Sequence, residues 1–253
     1  MPDLEQTINN NPLIQQLHKR ASVRSFSDED VPEALVDAIL EAARRSPTSS
    51  NLQTYSIMVI RDPEKKRQLV PLTGGQEHVA KCPVFLAFCA DLSRLTLACK
   101  MHDAELAKTL ESSLVSSIDA ALVGMTTQLL VESFGLGAVM IGAMRNHPRE
   151  AAKVLELPEN VYVVYGMCIG HPQMNESPLK PRLPKELVVH KEQYHQSSAN
   201  ALTGYNRDLA DYYNALGKNL ADDAWTAPIA KRLQQPSRPE LKSELEALGF
   251  SLD

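Results

Sequence analysis

The chain has 253 residues, of which 43% are hydrophobic and 23% are charged, a composition typical of a globular protein that can bury a sizeable core. Its formal net charge is -5 and its sequence pI is near 5.8, so we expect no nucleic-acid partner, and any anion site must be a local basic cluster. The N-terminus lacks a basic stretch followed by an apolar one, and the four cysteines lack C-x-x-C spacing, so neither a signal peptide, a disulfide framework nor a zinc site is expected. These features predict a cytoplasmic protein without a membrane partner.

The hydrophobic pattern predicts four strands among many helices. The strands are predicted at 55–60, 83–90, 138–141 and 161–169. After a short helical leader within 1–19, the helices are predicted at 33–45, 63–69, 92–106, 112–134, 148–155, 200–216, 222–233 and 241–248. This order contains too few β-α-β units for a doubly wound sheet. It predicts an α+β fold with a small mixed β-sheet flanked by helices.

The helix predicted at 112–134 is the longest, and its apolar residues recur at steps of three and four, as in Leu114, Ile118 and Leu122. The rest of its surface carries serine, threonine and glutamine in place of charges. A long helix with so little charge is usually covered on all sides, so the pattern indicates either a core helix or a subunit interface. Asp119 and the many hydroxyl groups argue against a membrane span. Gly135 is predicted to cap the C-terminal end of this helix.

Two arginines near the N-terminus, Arg20 and Arg24, stand four residues apart with Ser22 between them. If this stretch is helical, one turn separates the arginines, and both guanidinium groups can hold one anion between them. The serine hydroxyl would add a donor. The alternative is that the arginines form a solvated helix end.

Several standard catalytic sites are not found in the sequence. There is no Walker A segment, no G-x-S-x-G and no H-E-x-x-H. Gly135, Gly137 and Gly142 precede or end a strand with the wrong spacing for a dinucleotide fingerprint, and the seven histidines show no spacing typical of metal ligands. No metal site and no catalytic acid, base or nucleophile is predicted. The chemistry would then belong to a bound organic cofactor, which the protein orients.

Five segments in order resemble the nitroreductase family, closest to its oxygen-insensitive NAD(P)H nitroreductases and its flavin reductases that hold FMN. The segments are R-A-S-V-R-S-F (20–26), T-S-S-N-L-Q (48–53), L-T-G-G-Q-E-H-V-A (72–80), G-L-G-A-V-M-I-G-A-M-R-N (135–146) and L-K-P-R-L-P (179–184). The resemblance runs from about residue 14 nearly to the C-terminus. It implies one nitroreductase-like FMN-binding domain over 1–253, with a helical C-terminal extension from about 195. It also implies a homodimer with FMN at the interface, which would account for the uncharged helix.

The resemblance assigns eleven residues to FMN. The phosphate would be held by Arg20, Ser22, Arg24, Lys180 and Arg182. Hydroxyls and backbone amides facing the flavin would come from Thr48, Ser49 and Ser50. Gln76 would read the pyrimidine edge of the ring, because one carboxamide both donates and accepts. Ile141 and Gly142 would line the ring, where glycine allows the backbone to approach closely.

Three further residues would contact substrates. Arg238 resembles a family position near the open face of the flavin, and Asn51 stands where relatives have a bulky apolar residue beside the substrate pocket. Members that prefer NADPH carry a basic loop before the tryptophan, but residues 217–225 here hold Lys218 as their only base, together with two aspartates. We therefore expect that NADH is accepted, or that Lys218 alone binds the 2′-phosphate.

The family's activity is a ping-pong, two-electron transfer from NADPH or NADH through FMN to a small acceptor, with one pocket used by donor and acceptor in turn. Acceptors in the family include nitroaromatics, quinones, azo compounds and free flavin. One alternative is an NAD(P)H:flavin reductase that supplies reduced FMN to a partner enzyme. A second is a flavin-binding sensor without turnover.

Overall fold

The computed structural model describes residues 3–173 and 179–253. Tertiary contacts divide them into two compact units: the first holds 3–173 together with 238–253, and the second holds 179–237. The helical extension expected from about 195 thus falls in the second unit as far as residue 237. That the whole chain acts as one domain stays a prediction.

The first unit contains the β-sheet and most of the helices. Its strands are β1 (Tyr55–Ile60), β2 (Val84–Asp91), β3 (Gly137–Ile141) and β4 (Val161–Gly170). Its helices are α1 (Leu4–Asn9), α2 (Pro12–Lys19), α3 (Glu33–Ala43), α4 (Pro63–Leu72), α5 (His78–Lys81), α6 (Ser93–Lys100), α7 (Leu110–Ser133), α8 (Pro148–Val154) and, near the C-terminus, α11 (Leu241–Glu246). The second unit contains α9 (Ala199–Ala215) and α10 (Thr226–Leu233). Short 3-10 turns occupy Ser49–Asn51, Gly142–Asn146 and Lys185–Leu187.

All four predicted strands are confirmed, with ends that differ from the prediction by about one residue. Three helix predictions were wrong in extent. The helix expected at 92–106 ends at Lys100, before a turn in which Asp103 has a φ of 53°. The helix expected from 222 begins only at Thr226, and the helix expected at 63–69 continues to Leu72.

The sheet has the strand order β1-β2-β4-β3, and every pairing among the described residues is antiparallel. Tyr55 lies opposite Ala90, and Gly137 lies opposite Gly170. The expected mixed sheet was therefore wrong. Both β2 and β4 are buried along their whole length, and unbroken apolar strands of this kind are typical of parallel sheets. Here they are apolar because both faces of an antiparallel sheet are covered.

Alternate residues of β2 enter two separate hydrophobic cores, because neighbouring side chains in a strand point to opposite faces. Leu86 and Phe88 pack in the core that also holds residues of α3, α7 and α11. Phe85 and Cys89 pack in the opposite core with residues of α4 and α8. The sheet is thus the middle layer of the first unit.

Helix α7 is the inverse of an ordinary amphipathic helix. Its face toward the core is largely polar, and it includes Ser113, Ser116, Asp119, Thr127 and Gln128. Its outward face carries Leu114 and Ile118, which are 48% and 54% exposed. Among the described residues α7 is the one helix long and apolar enough to cross a membrane by length and composition. We treat it as a core helix, since its buried face carries the ionisable side chain of Asp119.

The C-terminal end of α7 confirms the cap predicted at Gly135. This glycine has a φ of 75°, in the left-handed region that glycine adopts without strain. Its amide donates to the carbonyl of Glu132 at 3.0 Å, and the amide of Leu136 donates to the carbonyl of Val131 at 3.3 Å. The two bonds form a Schellman motif, which turns the chain directly into β3.

Candidate functional site

Residues 20–26 are extended and not helical, so the helical-turn argument for Arg20 and Arg24 was wrong. Helix α2 ends at Lys19, and Arg20 has an extended backbone with φ -64° and ψ 122°. The amide of Val23 donates to the carbonyl of Ala138 at 3.0 Å, which lays the segment along β3. In an extended chain alternate residues share a side. Extended spacing therefore also predicts Arg20, Ser22 and Arg24 on one side, for a different reason.

Val23 explains why the segment can lie so close to the sheet. Its side chain packs directly over Gly137, where an added Cβ would stand only 2.7 Å from the valine carbons. Any larger residue at 137 would push residues 20–26 away from β3. The glycine at this position therefore fixes the distance between the sheet and the basic segment.

Arg20 is partly engaged within the first unit. Its Nη1 lies 3.6 Å from Oε1 of Glu132, which also accepts a hydrogen bond from Nε2 of Gln128 at 2.9 Å. Burial raises the pKa of Glu132, against the opposing effects of the Gln128 hydrogen bond and of Arg20. Among the described residues, the side chains of Ser22 and Arg24 have no hydrogen bond or ion pair. These two residues present the open donors of the segment.

His78 lies close enough to the basic segment for Arg24 to affect its pKa, and it was missed by the sequence reasoning, which set all histidines aside. Its Nε2 is buried and has no hydrogen-bond partner among residues 3–173 and 179–253. Burial, and then the charge of Arg24, lower the pKa of His78. Its position in the sequence, two residues after the assigned Gln76, could have indicated that His78 belongs to the site. The carboxamide of Gln76 itself is fixed by a 2.8 Å bond from Nε2 to the carbonyl of Thr73.

The end of β3 brings three of the assigned residues together. The side chain of Ile141 is buried in the core at 1% exposure, so its contribution to a ring-lining surface would come from its backbone. Gly142 follows at the start of a 3-10 turn. Arg238 lies over this turn: its Nη2 is 3.4 Å from the carbonyl oxygen of Gly142, and its Nε donates to Oδ1 of Asn146 at 2.8 Å.

The loop that holds Thr48, Ser49 and Ser50 lies at the other edge of the sheet, before β1. Strands β2 and β4 separate β1 from β3, which corresponds to roughly 14 Å at the usual strand spacing. Within one copy of the chain, the structure therefore does not bring this loop together with Ser22, Arg24 or Gly142.

The loop is held by a second residue that the sequence reasoning missed, Asp119 of α7. Its Oδ1 accepts from the amide of Ser49 at 3.1 Å, and its Oδ2 accepts from both the amide and the hydroxyl of Thr54, at 3.1 and 2.8 Å. The only signal in the sequence was an acid in an otherwise uncharged stretch of helix. That signal alone does not identify what the acid binds.

The second unit contains Lys180, Arg182 and Lys218. The hydroxyl of Tyr205 donates to the carbonyl of Pro181 at 3.1 Å and so ties down the segment between Lys180 and Arg182. The Nζ atoms of Lys180 and Lys218 each lie 5.2 Å from the centroid of the Tyr213 ring. No local sequence pattern indicates this convergence. That Lys180 and Arg182 meet the basic segment of the first unit stays a prediction.

Taken together, the first unit has open cationic and hydroxyl donors beside a sheet edge, next to exposed backbone at a strand end. This arrangement suits an organic ligand that carries an anionic group. Known proteins extend this description. The family model described as "Nitroreductase family" matches residues 17–171, and the one described as "Nitroreductase family, C-terminal domain" matches residues 180–253.

Similar proteins match over nearly the whole chain. The oxygen-insensitive NADPH nitroreductase of Salmonella typhimurium is 40% identical over 241 residues, which is 95% of this chain and 99% of the relative. An FMN reductase [NAD(P)H] of Bacillus subtilis is 36% identical over 96% of this chain and 99% of its own length. The solved structure of NfrA2 from B. megaterium has a TM-score of 0.92 at 34% identity, covering 96% of this chain and 99% of that one. The chain belongs to the nitroreductase family.

The environment of His78 predicts that the stability of the fold depends on pH. Its folded pKa is lowered from the ordinary value near 6.5, so the stability associated with neutral His78 is present above about pH 6.5 and is lost as pH falls below it. We expect that FMN or inorganic phosphate raises the pKa of His78, because an anion beside Arg24 offsets the charge of that arginine. Titration of the imidazole protons by NMR, with and without the anion, measures this change.

The matched control is His102→Gln, which changes an exposed histidine. In thermal melts, the His78→Gln variant should lose less stability than the wild type between pH 7 and pH 5, whereas His102→Gln should follow the wild type. A His78 titration that is the same with and without FMN would contradict an anion site at Arg24.

Proposed function

We propose that this chain is an FMN-dependent oxidoreductase that transfers two electrons from NADPH or NADH to nitroaromatics, quinones or related small acceptors. The observation that carries the proposal is the set of open donors on Ser22 and Arg24, together with a nearby His78 whose pKa responds to Arg24 and whose Nε2 lacks a partner among the described residues. The names of the relatives support it, since one is called an NADPH nitroreductase and another an FMN reductase. A cytoplasmic location is part of this proposal.

The donor set suits the phosphate of FMN. A phosphate monoester carries about -1.5 to -2 charges at pH 7 and three strong acceptor oxygens. Arg24 offers a planar fork of donors, Ser22 offers a hydroxyl, and His78 offers a buried ring nitrogen that otherwise lacks a partner. Lys180 and Arg182 would complete the charge from the second unit. When bound, FMN supplies the chemistry of accepting and donating two electrons, and the protein supplies its orientation.

The remaining assigned residues orient the ring and its partners. The carboxamide of Gln76, already fixed through Thr73, would face the pyrimidine edge. The backbone at Gly142 would lie against the ring, with no side chain to hold it off. Arg238 is held over this backbone by Asn146, where it would meet an anionic group of the nucleotide or the acceptor. Rate in such a site comes from holding the two reacting partners in contact and excluding water, without a side-chain base.

We propose that the functional unit is a homodimer in which α7 forms part of the interface. The outward face of α7 carries Leu114, Ile118 and Leu122, all of them exposed in the single copy. A contiguous apolar face of this kind marks a protein interface. A second copy of the chain would cover this face. It would also account for the distance between the two edges of the sheet, because the loop at 48–51 of one copy can then complete the flavin site of its partner. Asn51 would belong to that contribution.

Nucleotide selectivity is proposed to depend on Lys218, with Lys180 beside it on the Tyr213 ring. We expect the wild type to accept both NADH and NADPH. The change Lys218→Ala should lower kcat/KM for NADPH by roughly fivefold and leave kcat/KM for NADH unchanged, because one exposed charge pair to the 2′-phosphate is lost. Steady-state kinetics with both nucleotides measures the ratio.

The matched control is Lys231→Ala, which removes an exposed lysine of α10 from the same unit and should change neither value. A strong preference for NADPH that is unchanged in Lys218→Ala would contradict the expectation that NADH is accepted. It would also contradict the alternative that Lys218 alone binds the 2′-phosphate.

The experiment that tests the proposed function is a visible absorption spectrum of the purified protein, followed by anaerobic addition of NADH and then NADPH. A bound-flavin spectrum that bleaches with either nucleotide is the expected result. Protein that gains no flavin spectrum after incubation with FMN and removal of the excess would contradict the proposal.

Two other functions are candidates, and the same spectrum and turnover assays distinguish them from the proposed one. The name of the Bacillus relative favours a flavin reductase that supplies reduced FMN to a partner enzyme, and this reading requires faster turnover of free FMN than of nitroaromatics or quinones. A flavin-binding sensor would bind FMN but bleach with neither nucleotide. The aspartates at 222 and 223, in the loop before Trp225, are the one feature that favours it.

A further inference from the structure

We infer that Asp119 is a positioning residue for the flavin, because it holds the loop of residues 49–54 in the strained shape that presents its hydroxyl and amide groups. The inference rests on the proposed function, in which Ser49 and Ser50 contact FMN. Asp119 lies in the middle of α7 and is 1% exposed, so the residue acts on the flavin only through the loop.

The loop has an unusual backbone. Ser50, Asn51 and Gln53 have φ values of 47°, 58° and 52°, all in the left-handed region that residues other than glycine adopt at a cost in energy. Three such residues within four positions persist only where the surrounding structure holds them. Backbone strain of this density is typical of sites that must present groups in one fixed geometry.

The carboxylate of Asp119 accepts hydrogen bonds from both ends of the strained stretch. One oxygen accepts from the amide of Ser49, before the first strained residue. The other oxygen accepts from the amide and the hydroxyl of Thr54, after the last one. Both oxygens are needed, because each end of the loop presents only donors to this side chain.

A second residue, Arg94, also holds the end of the loop. Nη2 of Arg94 donates to the carbonyl of Gln53 at 3.1 Å, and Nη1 of Arg94 is fixed by Asp91 at 2.9 Å. The amides of Ser49 and Thr54 are thus tied to Asp119, and the carbonyl of Gln53 is tied to Arg94. The side chains of Ser50 and Asn51 are exposed and bond to neither Asp119 nor Arg94, and Oδ1 of Asn51 accepts from Nε2 of Gln53 at 3.3 Å.

The test compares three variants for FMN binding. Asp119→Asn keeps the shape of the side chain but replaces one acceptor oxygen with an NH2 group, which then faces the donors of Ser49 or of Thr54. We expect its Kd for FMN to rise roughly 10- to 100-fold, because misplaced contacts weaken a preorganised site by this order. Thr54→Val removes only the hydroxyl bond, and we expect a rise of roughly 3- to 10-fold.

The matched control is Thr127→Val, on the same helix and equally buried. Among the residues that the structure describes, the hydroxyl of Thr127 bonds only within the helix, to the carbonyl of Val123, so this variant alters the core without touching the loop. Its Kd for FMN should stay within about twofold of the wild type. Each variant is saturated with FMN and its visible circular dichroism recorded, since a change in the flavin environment alters this signal and a general loss of stability does not.

The outcomes separate the inference from the proposed function. An unchanged Kd and an unchanged dichroism spectrum for Asp119→Asn, with wild-type protein that binds FMN, would overturn the inference alone. If Asp119→Asn does not fold, Thr54→Val decides, and a Kd equal to that of Thr127→Val would overturn it. Wild-type protein that binds no FMN would overturn the proposed function and the inference together.

Discussion

Replacing Arg24 with alanine will weaken FMN binding by roughly 10- to 150-fold and leave the binding of riboflavin unchanged. The range follows from the loss of one charge-assisted hydrogen bond, about 1.5–3 kcal/mol, at 1.36 kcal/mol for each factor of ten. Arg24 is exposed beside His78, and we assign it to the phosphate only. Riboflavin lacks the phosphate and keeps the ring, so the comparison separates the two parts of the site. Fluorescence quenching of each flavin by apoprotein measures both affinities.

The matched control is Arg45→Ala, which removes an exposed arginine that follows α3 and produces the same change in net charge. FMN affinity should be the same in this variant as in the wild type. Arg24→Ala protein that loses affinity for riboflavin and FMN equally would show that Arg24 acts on the fold or on the ring, and would refute its assignment to the phosphate.

Replacing Ile118 with aspartate will dissociate the proposed dimer and remove bound FMN with it. Ile118 is 54% exposed in the single copy, and in the dimer its aspartate replacement would bury a charge at an effective penalty of several kcal/mol. We expect the wild type to have about twice the 27.9 kDa mass of the chain, and the variant to have the mass of one chain and little flavin absorbance. Size-exclusion chromatography with light scattering, at matched protein concentrations, measures the mass.

The control for this variant is Leu97→Asp on α6, which changes a residue that is 60% exposed and lies outside the proposed interface. It should keep the mass and the flavin content of the wild type. Ile118→Asp protein of unchanged mass would exclude α7 from the interface.

The sequence predicted the elements of the fold well where the local pattern had one interpretation. Strand β4 is apolar along ten residues. Gly135 directly follows the helical pattern of α7, which is the position of a C-terminal cap. The direction of pairing in the sheet could not be predicted in this way, since burial on both faces produces the same residues in parallel and antiparallel strands. The ends of α6 and α10 were also missed, because they are set by turns at Asp103 and before Thr226.

The site was predictable as a set of segments and not as a geometry. Arg20 and Arg24 fit one side of a helix at steps of four and one side of an extended chain at steps of two, so their spacing cannot distinguish the two conformations. Asp119 binds a loop 65 residues away in sequence, and a lone acid carries no sign of its partner. Lys180 and Lys218 meet only through Tyr213. Contacts of this kind are formed by the tertiary fold, and no local sequence pattern predicts them.

The inverted polarity of α7 has a consequence for how the protein behaves on dilution. If the apolar outward face is covered only by a second copy, then the folded state and the cofactor site share one association equilibrium, and their populations follow protein concentration by mass action. At concentrations near the dimer dissociation constant, single copies would expose Leu114 and Ile118 to water and lose half of each flavin site. Activity per molecule would then fall as the enzyme is diluted, and added FMN would restore it by drawing single copies back into dimers.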